Sequence, residues 1–237
     1  MNQMTKKRNC IYILSLHPIF HTEESPVFDK LSQQDSIILH SALIANFLDI
    51  FTLNDLSAKI IFCLDEKDRS YYPKNFFPAE IKILFINSNE DKSNLDKLQQ
   101  SYFSTFENNL LIRADTIGIS LKHFNKIFDM LSIEDDVLVI GKSERNRVAF
   151  IGFNTAENKL LEKMFSVKFN YDKFLSEAGK SELFLNTLQG FQVVEDFGDF
   201  KNLYIELSKK ESLSYCSKQM HERFTNLFIE YKDLLNE

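Results

Sequence analysis

The sequence predicts a three-layer α/β protein built on a mainly parallel central sheet. Three observations carry that expectation. Short apolar runs of strand character recur, at 10–16 (CIYILSL), 58–64 (AKIIFCL), 81–86 (IKILFI) and 109–114 (NLLIRA). Longer segments with apolar residues at helical spacing lie between them, the alternation expected of β-α-β units. No internal repeat, low-complexity tract or Pro/Gly linker divides the chain. Residues 1–208 therefore read as one domain, and 209–237 as a linker with an extra C-terminal amphipathic helix packed on it.

The first run stops at His17-Pro18, as a buried strand entering a loop does. The loop HPIFHTEESPVF leads to a long helix, announced by Ser32 with Asp35 three residues on, a capping-box spacing. Ile37, Ile44, Leu48 and Phe51 share one face of that helix. The second strand ends at the charged run Asp65-Glu66-Lys67-Asp68-Arg69, read as an exposed loop. After the third strand, Leu95, Leu98, Tyr102 and Phe106 keep helical spacing. After the fourth, Ser120 caps a helix whose Phe124, Ile127, Phe128 and Leu131 form an i, i+3, i+4, i+7 stripe. VLVIG (137–141) and RVAFIGF (147–153) read as a hairpin, one or two helices fill 155–188, and FQVVED (191–196) is a last strand. Phe224, Leu227, Phe228, Tyr231, Leu234 and Leu235 give the final helix an apolar stripe too wide to leave in water. It should dock on its own domain as a monomer, with a homodimer as the alternative.

Composition narrows the function classes. The chain has 237 residues, 44% hydrophobic and 26% charged, with a formal net charge of -6. That balance argues against non-specific nucleic-acid binding, which needs clustered cations. No apolar run is read as reaching the ~20 residues of a membrane span, and no signal-peptide pattern is recognised at the start. Cys10, Cys63 and Cys216 form no C-x-x-C pair, so a cytoplasmic setting is expected. Five dispersed His residues share no zinc spacing. There are six Gly, against ~17 at average usage, and all lie from Gly118 onward. The first half therefore cannot hold a Gly-rich phosphate loop.

Asp115 is the leading site candidate, because open α/β sheets place ligand chemistry at the carboxyl ends of their strands. An Asp there also commonly caps the following turn. Three stretches carry a family resemblance. LLIRADTIGIS (110–120) resembles a strand ending in "G-S-D-x-P-x-L-T", with Asp115 on the acidic position. VLVIGKSERNRVAFIGF (137–153) resembles a "V-x-L-G-P-A-x-D-G-G-Y-Y-L-I-G" hairpin, with Gly141 and Gly152 on its outer glycines. YILSLHPIF (12–20) resembles the first strand and its loop, with Pro18 on the proline. Together they resemble the small glycosyltransferase-like proteins of unknown function with a GT-A fold, relatives of nucleotide-diphospho-sugar transferases and of guanylyl- and cytidylyltransferases.

The resemblance implies Mg²⁺ or Mn²⁺ on Asp115, neutralising a diphosphate. It implies Ser15, His17, Asp65, Glu144, Arg145 and Arg147 as nucleotide or substrate contacts. The departures are as informative. HTEESPV stands where the family shows "G-K-x-K-T-R-L", so Glu23 and Glu24 replace cations that would clamp a diphosphate. Arg145, Asn146, Arg147 and Val148 replace "D-G-G-Y". Asp196 and Asp199, which resemble a late D-x-D turn, read as structural. Two functions stand: a transferase with a rebuilt phosphate site and weak nucleotide-sugar binding, or a domain that has lost catalysis and serves as a binding or scaffold module. Whether Arg145 and Arg147 face Asp115 or face water separates them.

Overall fold

The apolar runs become strands of one sheet. The computed structural model describes residues 7–21, 24, 27–73, 76–87, 91–155 and 158–236. The strands are β1 (Lys7–Leu14), β2 (Lys59–Asp65), β3 (Lys82–Ile86), β4 (Phe106–Arg113), β5 (Thr116–Ile117), β6 (Val137–Ser143), β7 (Val148–Phe153) and β8 (Phe184–Val193). Their order across the sheet is β3-β2-β1-β4-β7-β6-β8-β5. β1, β2, β3 and β4 pair in parallel, as do β6 and β8, while β7 and β5 run against their neighbours. The sheet is mainly parallel, as expected, with an antiparallel hairpin set into it.

Helices cover both faces, which makes the architecture three-layered. On one face, α1 (Gln33–Leu53) and α3 (Leu121–Ile133) lay Ile44, Phe47, Ile50, Phe124, Ile127 and Leu131 over Ile11, Ile13, Phe62, Leu110 and Ile112. On the other, α2 (Asp91–Leu98), α4 (Asn158–Ser166) and α5 (Tyr171–Ala178) meet Tyr12, Cys63, Leu111 and Ile151. Each fully buried Phe contributes roughly 1.5–3 kcal/mol of transfer free energy, and Phe supplies most of the largest fully buried side chains. Ser120 caps α3 in a reciprocal box with His123, and Ser32 caps α1 by accepting from the Asp35 amide.

Behind α1 lies a further apolar layer. α6 (Phe197–Leu207), α7 (Lys218–Glu230) and α8 (Lys232–Leu235) bury Phe200, Leu203, Phe224, Leu227 and Phe228 with Leu39 and Leu43 of α1. Tyr231 Oη donates to Asp35 at 2.6 Å, pinning the C-terminal helices to the start of α1.

Several elements differ from expectation. Phe106 opens β4 and does not extend the helical stripe, which ends in a π-turn at Gln99–Phe103. β8 is ten residues long and FQVVED covers only its end, because its first half is exposed and mixed in polarity. α6 was not anticipated. Its N-cap is Asp196, boxed with Asp199, so the acidic pair is structural, as read. The absence of any span-length apolar segment is also corrected. α1 is long and apolar enough by length and composition, and 56% of its most apolar window is buried inside the protein.

Candidate functional site

The connection order places the sheet's switch point between β1 and β4. β1 continues outward through β2 and β3, and the chain then returns to pair β4 on the other side of β1. Open α/β sheets bind ligands outside the strand ends at such a point. Here the Ala114 amide donates to Leu14 O at 2.8 Å and the Ser15 amide to Cys63 O at 2.9 Å, so the carboxyl ends of β1, β2 and β4 lie side by side. Asp115 sits there, two residues beyond β4.

The crevice is almost filled. Its free volume is about 10 Å³, lined by Ser15, His17, Ile19, His40, Ala114 and Asp115 among others; that is room for about one water. His17 packs edge-on against His40 with ring centroids 4.5 Å apart, and His40 packs on Phe28 at 4.8 Å. Burial lowers the His17 pKa below its ordinary 6.5, against the opposing field of Asp115. Ser15 Oγ donates to His17 O at 2.8 Å, which spends the hydroxyl proton inside the loop.

Asp115 is engaged from within. Arg113 Nε donates to its Oδ1 at 3.0 Å and Arg113 Nη2 to its Oδ2 at 2.6 Å, a bidentate pair. Both side chains are nearly inaccessible, at 4% and 9% exposure. Arg113 also donates to Glu195 and lies over the Phe169 ring at 5.1 Å. Burial opposes its charge, yet the fields and hydrogen bonds of Asp115 and Glu195 outweigh that and raise its pKa.

The pairing continues into the hairpin. Arg147 Nε meets Glu195 at 2.7 Å and Arg147 Nη1 meets Asp199 at 2.8 Å, while Arg145 Nη1 meets Asp199 at 2.8 Å and also pairs with Asp196. Neither expected orientation holds. Arg145 and Arg147 face the carboxylates at the start of α6, and Arg147 reaches Asp115 only through Glu195 and Arg113. The hairpin turns through Asn146 at φ 59°, a left-handed geometry that Asn tolerates. Gly141 serves packing: a Cβ there would stand 2.3 Å from the Phe150 ring opposite.

The other predicted residues disperse. Asp65 is buried and caps the 3₁₀ turn Glu66–Tyr71, accepting from the Lys67 amide at 2.8 Å. Glu144 is exposed and borders a separate recess of about 70 Å³ beside Gly118, Gly190 and Lys209. Glu24 pairs with Lys67, and Glu23 lies outside the described residues. Both Asp115 oxygens are taken by Arg113, and among the described residues no group of three His, Cys, Asp or Glu side chains is placed to hold a metal.

Sequence reasoning missed Arg113, Glu195 and Asp68. Arg113 left a signal: a charge closing an apolar strand, two residues before Asp115. Asp68 and Glu195 left none, because their partners are distant in sequence.

No family model matches the chain, and no curated protein does. Solved structures do. A candidate nucleotide-diphospho-sugar transferase from Desulfovibrio desulfuricans G20 superposes with a TM-score of 0.72 at 14% identity, covering 98% of this chain and 97% of its own. This chain has the nucleotide-diphospho-sugar transferase-like fold. A cytidylyltransferase from Leptospira borgpetersenii matches at a TM-score of 0.53 and 10% identity, over 97% of each chain. Rv0371c from Mycobacterium tuberculosis H37Rv, solved in complex with manganese, matches at 0.50 and 12% identity, over 83% of this chain and 97% of its own. The manganese belongs to that protein. At these identities the shared property is the fold.

Proposed function

We propose that this chain is a nucleotide-diphospho-sugar transferase-like protein with a degenerate donor site, acting as a binding or scaffold module. One observation carries the reading. At the switch point, where this architecture places donor and metal, Asp115 is held bidentately by the buried Arg113 beside a crevice of about 10 Å³. A guanidinium stands where a cation would neutralise a diphosphate, so Asp115 has an internal counter-charge without a ligand. The loop after β1 supports the reading from the other side, because its cation positions carry Glu24, already paired with Lys67. Three buried free cysteines are consistent with a cytoplasmic setting. The burial of Phe224, Leu227 and Phe228 against the chain's own α1 and α6 favours a monomer.

Ligand-linked melting tests this. A nucleotide-sugar at about one hundred times its dissociation constant would add ~2.7 kcal/mol of stability, or roughly 5–11 °C for a chain of this size. Millimolar UDP-, GDP- and CDP-linked sugars with Mg²⁺ or Mn²⁺ should raise the melting temperature by less than about 2 °C. A larger rise that disappears in Asp115→Ala would restore a working transferase with weak donor binding.

A further inference from the structure

The run Asp65-Glu66-Lys67-Asp68-Arg69, read from sequence as an exposed loop, contains a fully buried carboxylate. Asp68 is 0% exposed. Its Oδ2 accepts from the Ile19 amide at 2.7 Å and its Oδ1 from the Phe20 amide at 2.9 Å. Two adjacent loop amides converging on two oxygens of one anion is the arrangement with which backbone binds phosphate-class groups. The amides belong to the loop leaving β1 at the switch point, and Ile19 also lines the crevice beside Asp115. His17 feels the fields of both Asp68 and Asp115, so the two carboxylates flank one small region.

Besides the edge-on contact of Phe20 with the half-buried Tyr72, at 5.5 Å between ring centroids, the turn that delivers Asp68 is fastened to the same loop at two places nearer to water. Lys67 pairs with Glu24, each more than a third exposed. Tyr71, 54% exposed, stacks on Phe20 with ring centroids 5.2 Å apart and an interplanar angle of 23°. Exposed ion pairs and half-exposed ring contacts hold weakly. The carboxylate is thus deep and well bonded, while the fasteners around it are of the kind that open readily.

We propose that Asp68 is an internal competitor for an anion of the phosphate class: it closes the Ile19–Phe20 amide pair, and such an anion binds there only when the turn at 66–71 lifts. This rests on the closed-site reading above and supplies its regulation. The site is self-occupied twice, by a carboxylate on the anion-binding amides and by Arg113 on the acidic residue. The exchange forms and breaks no covalent bond, and the amide donors are paired both with the turn closed and with the anion bound.

The test uses the full ¹⁵N-labelled chain with sodium pyrophosphate, against sodium chloride at matched ionic strength. In the wild type the Ile19 and Phe20 amide resonances should stay in place up to about 10 mM pyrophosphate, because the competitor is intramolecular and at far higher effective concentration. In Asp68→Ala they should move together in a saturating titration, with a melting rise of about 2–4 °C. Asp68→Asn, which keeps one carbonyl acceptor, should respond less. A folded Asp68→Ala whose Ile19 and Phe20 signals ignore pyrophosphate overturns the proposal. Should that variant not fold, Lys67→Ala with Tyr71→Ala loosens the turn and leaves the carboxylate in place. Hydrogen exchange at Ile19 and Phe20 should then accelerate about tenfold or more, and unchanged exchange overturns the proposal equally. These readouts contain no sugar, nucleotide or metal, so they fail independently of the closed-site reading, which falls if a nucleotide-sugar binds the wild type.

Discussion

The two ends of the central sheet contrast sharply. At the carboxyl end, the switch-point crevice where the strand order places a ligand has about 10 Å³ of free space. At the amino end an open groove of about 820 Å³ runs along Arg8, Glu107, Asn108, Glu134, Asp135 and Asn154. The small space is walled by buried ion pairs and amide–carboxylate bonds, the large one mostly by exposed side chains such as Arg8, Glu107, Glu134 and Asp135. Space alone therefore does not mark the site. The carboxyl end concentrates buried charge, and each of the charges followed there has found a partner inside the chain.

The comparison breaks most readily at Arg113. Arg113→Met strands Asp115 without its buried cation, while Glu195 keeps Arg147, and should cost about 3–5 kcal/mol in denaturant unfolding at pH 7. Adding Asp115→Leu should recover much of it, since an apolar pair replaces an ionic one. A cost near zero for the single change would mean that the carboxyl end is solvated like the amino end. Asp68→Ala ranks next. It leaves the Ile19 and Phe20 amides without their acceptor and should cost about 1–3 kcal/mol.

A pH effect should be smaller. His17 is held below its ordinary value of 6.5 by burial, so the unfolded chain binds the proton more tightly. That contribution to stability is present above the unfolded pKa and declines as pH falls below about 6.5. His123 and His221 are shifted in the same direction, so His17→Gln should reduce the loss of stability between pH of about 7 and 5 without abolishing it. An unchanged slope would place His17 in water. The smallest effect belongs to the open end: Asp135→Asn should stay within about 0.5 kcal/mol.

Much of this contrast was legible in the residues. The stripe Phe124, Ile127, Phe128, Leu131 and its Ser120 cap mark α3 because period and cap agree, and Asp115 falls at the strand end that LLIRAD implies. The charge network was legible only in part. Arg113 and Asp115 stand two positions apart at a strand end, so a cation next to the acid could be noticed locally, although the turn at 114–115 and not a strand period brings the two together. Asp68 gave no such sign, because its partners are backbone amides 48 and 49 positions away, and backbone donors carry no residue signature. Glu195 lies 82 positions from Arg113 and meets it only once β8 has paired with β6. Local chemistry announces helices, caps and strand ends, whereas closure of the crevice is a property of strands brought together.

The central claim is that Asp115 is spoken for by Arg113, and Mn²⁺ tests it most directly. A bound Mn²⁺ erases nearby amide signals through its unpaired electrons. Titrating Mn²⁺ into the ¹⁵N-labelled full chain, up to about equimolar, should leave the Ala114, Asp115 and Thr116 resonances intact, because a guanidinium already fills both carboxylate oxygens. Selective loss of those three signals in the wild type, and their persistence in Asp115→Ala, would contradict the account and return a metal to the site.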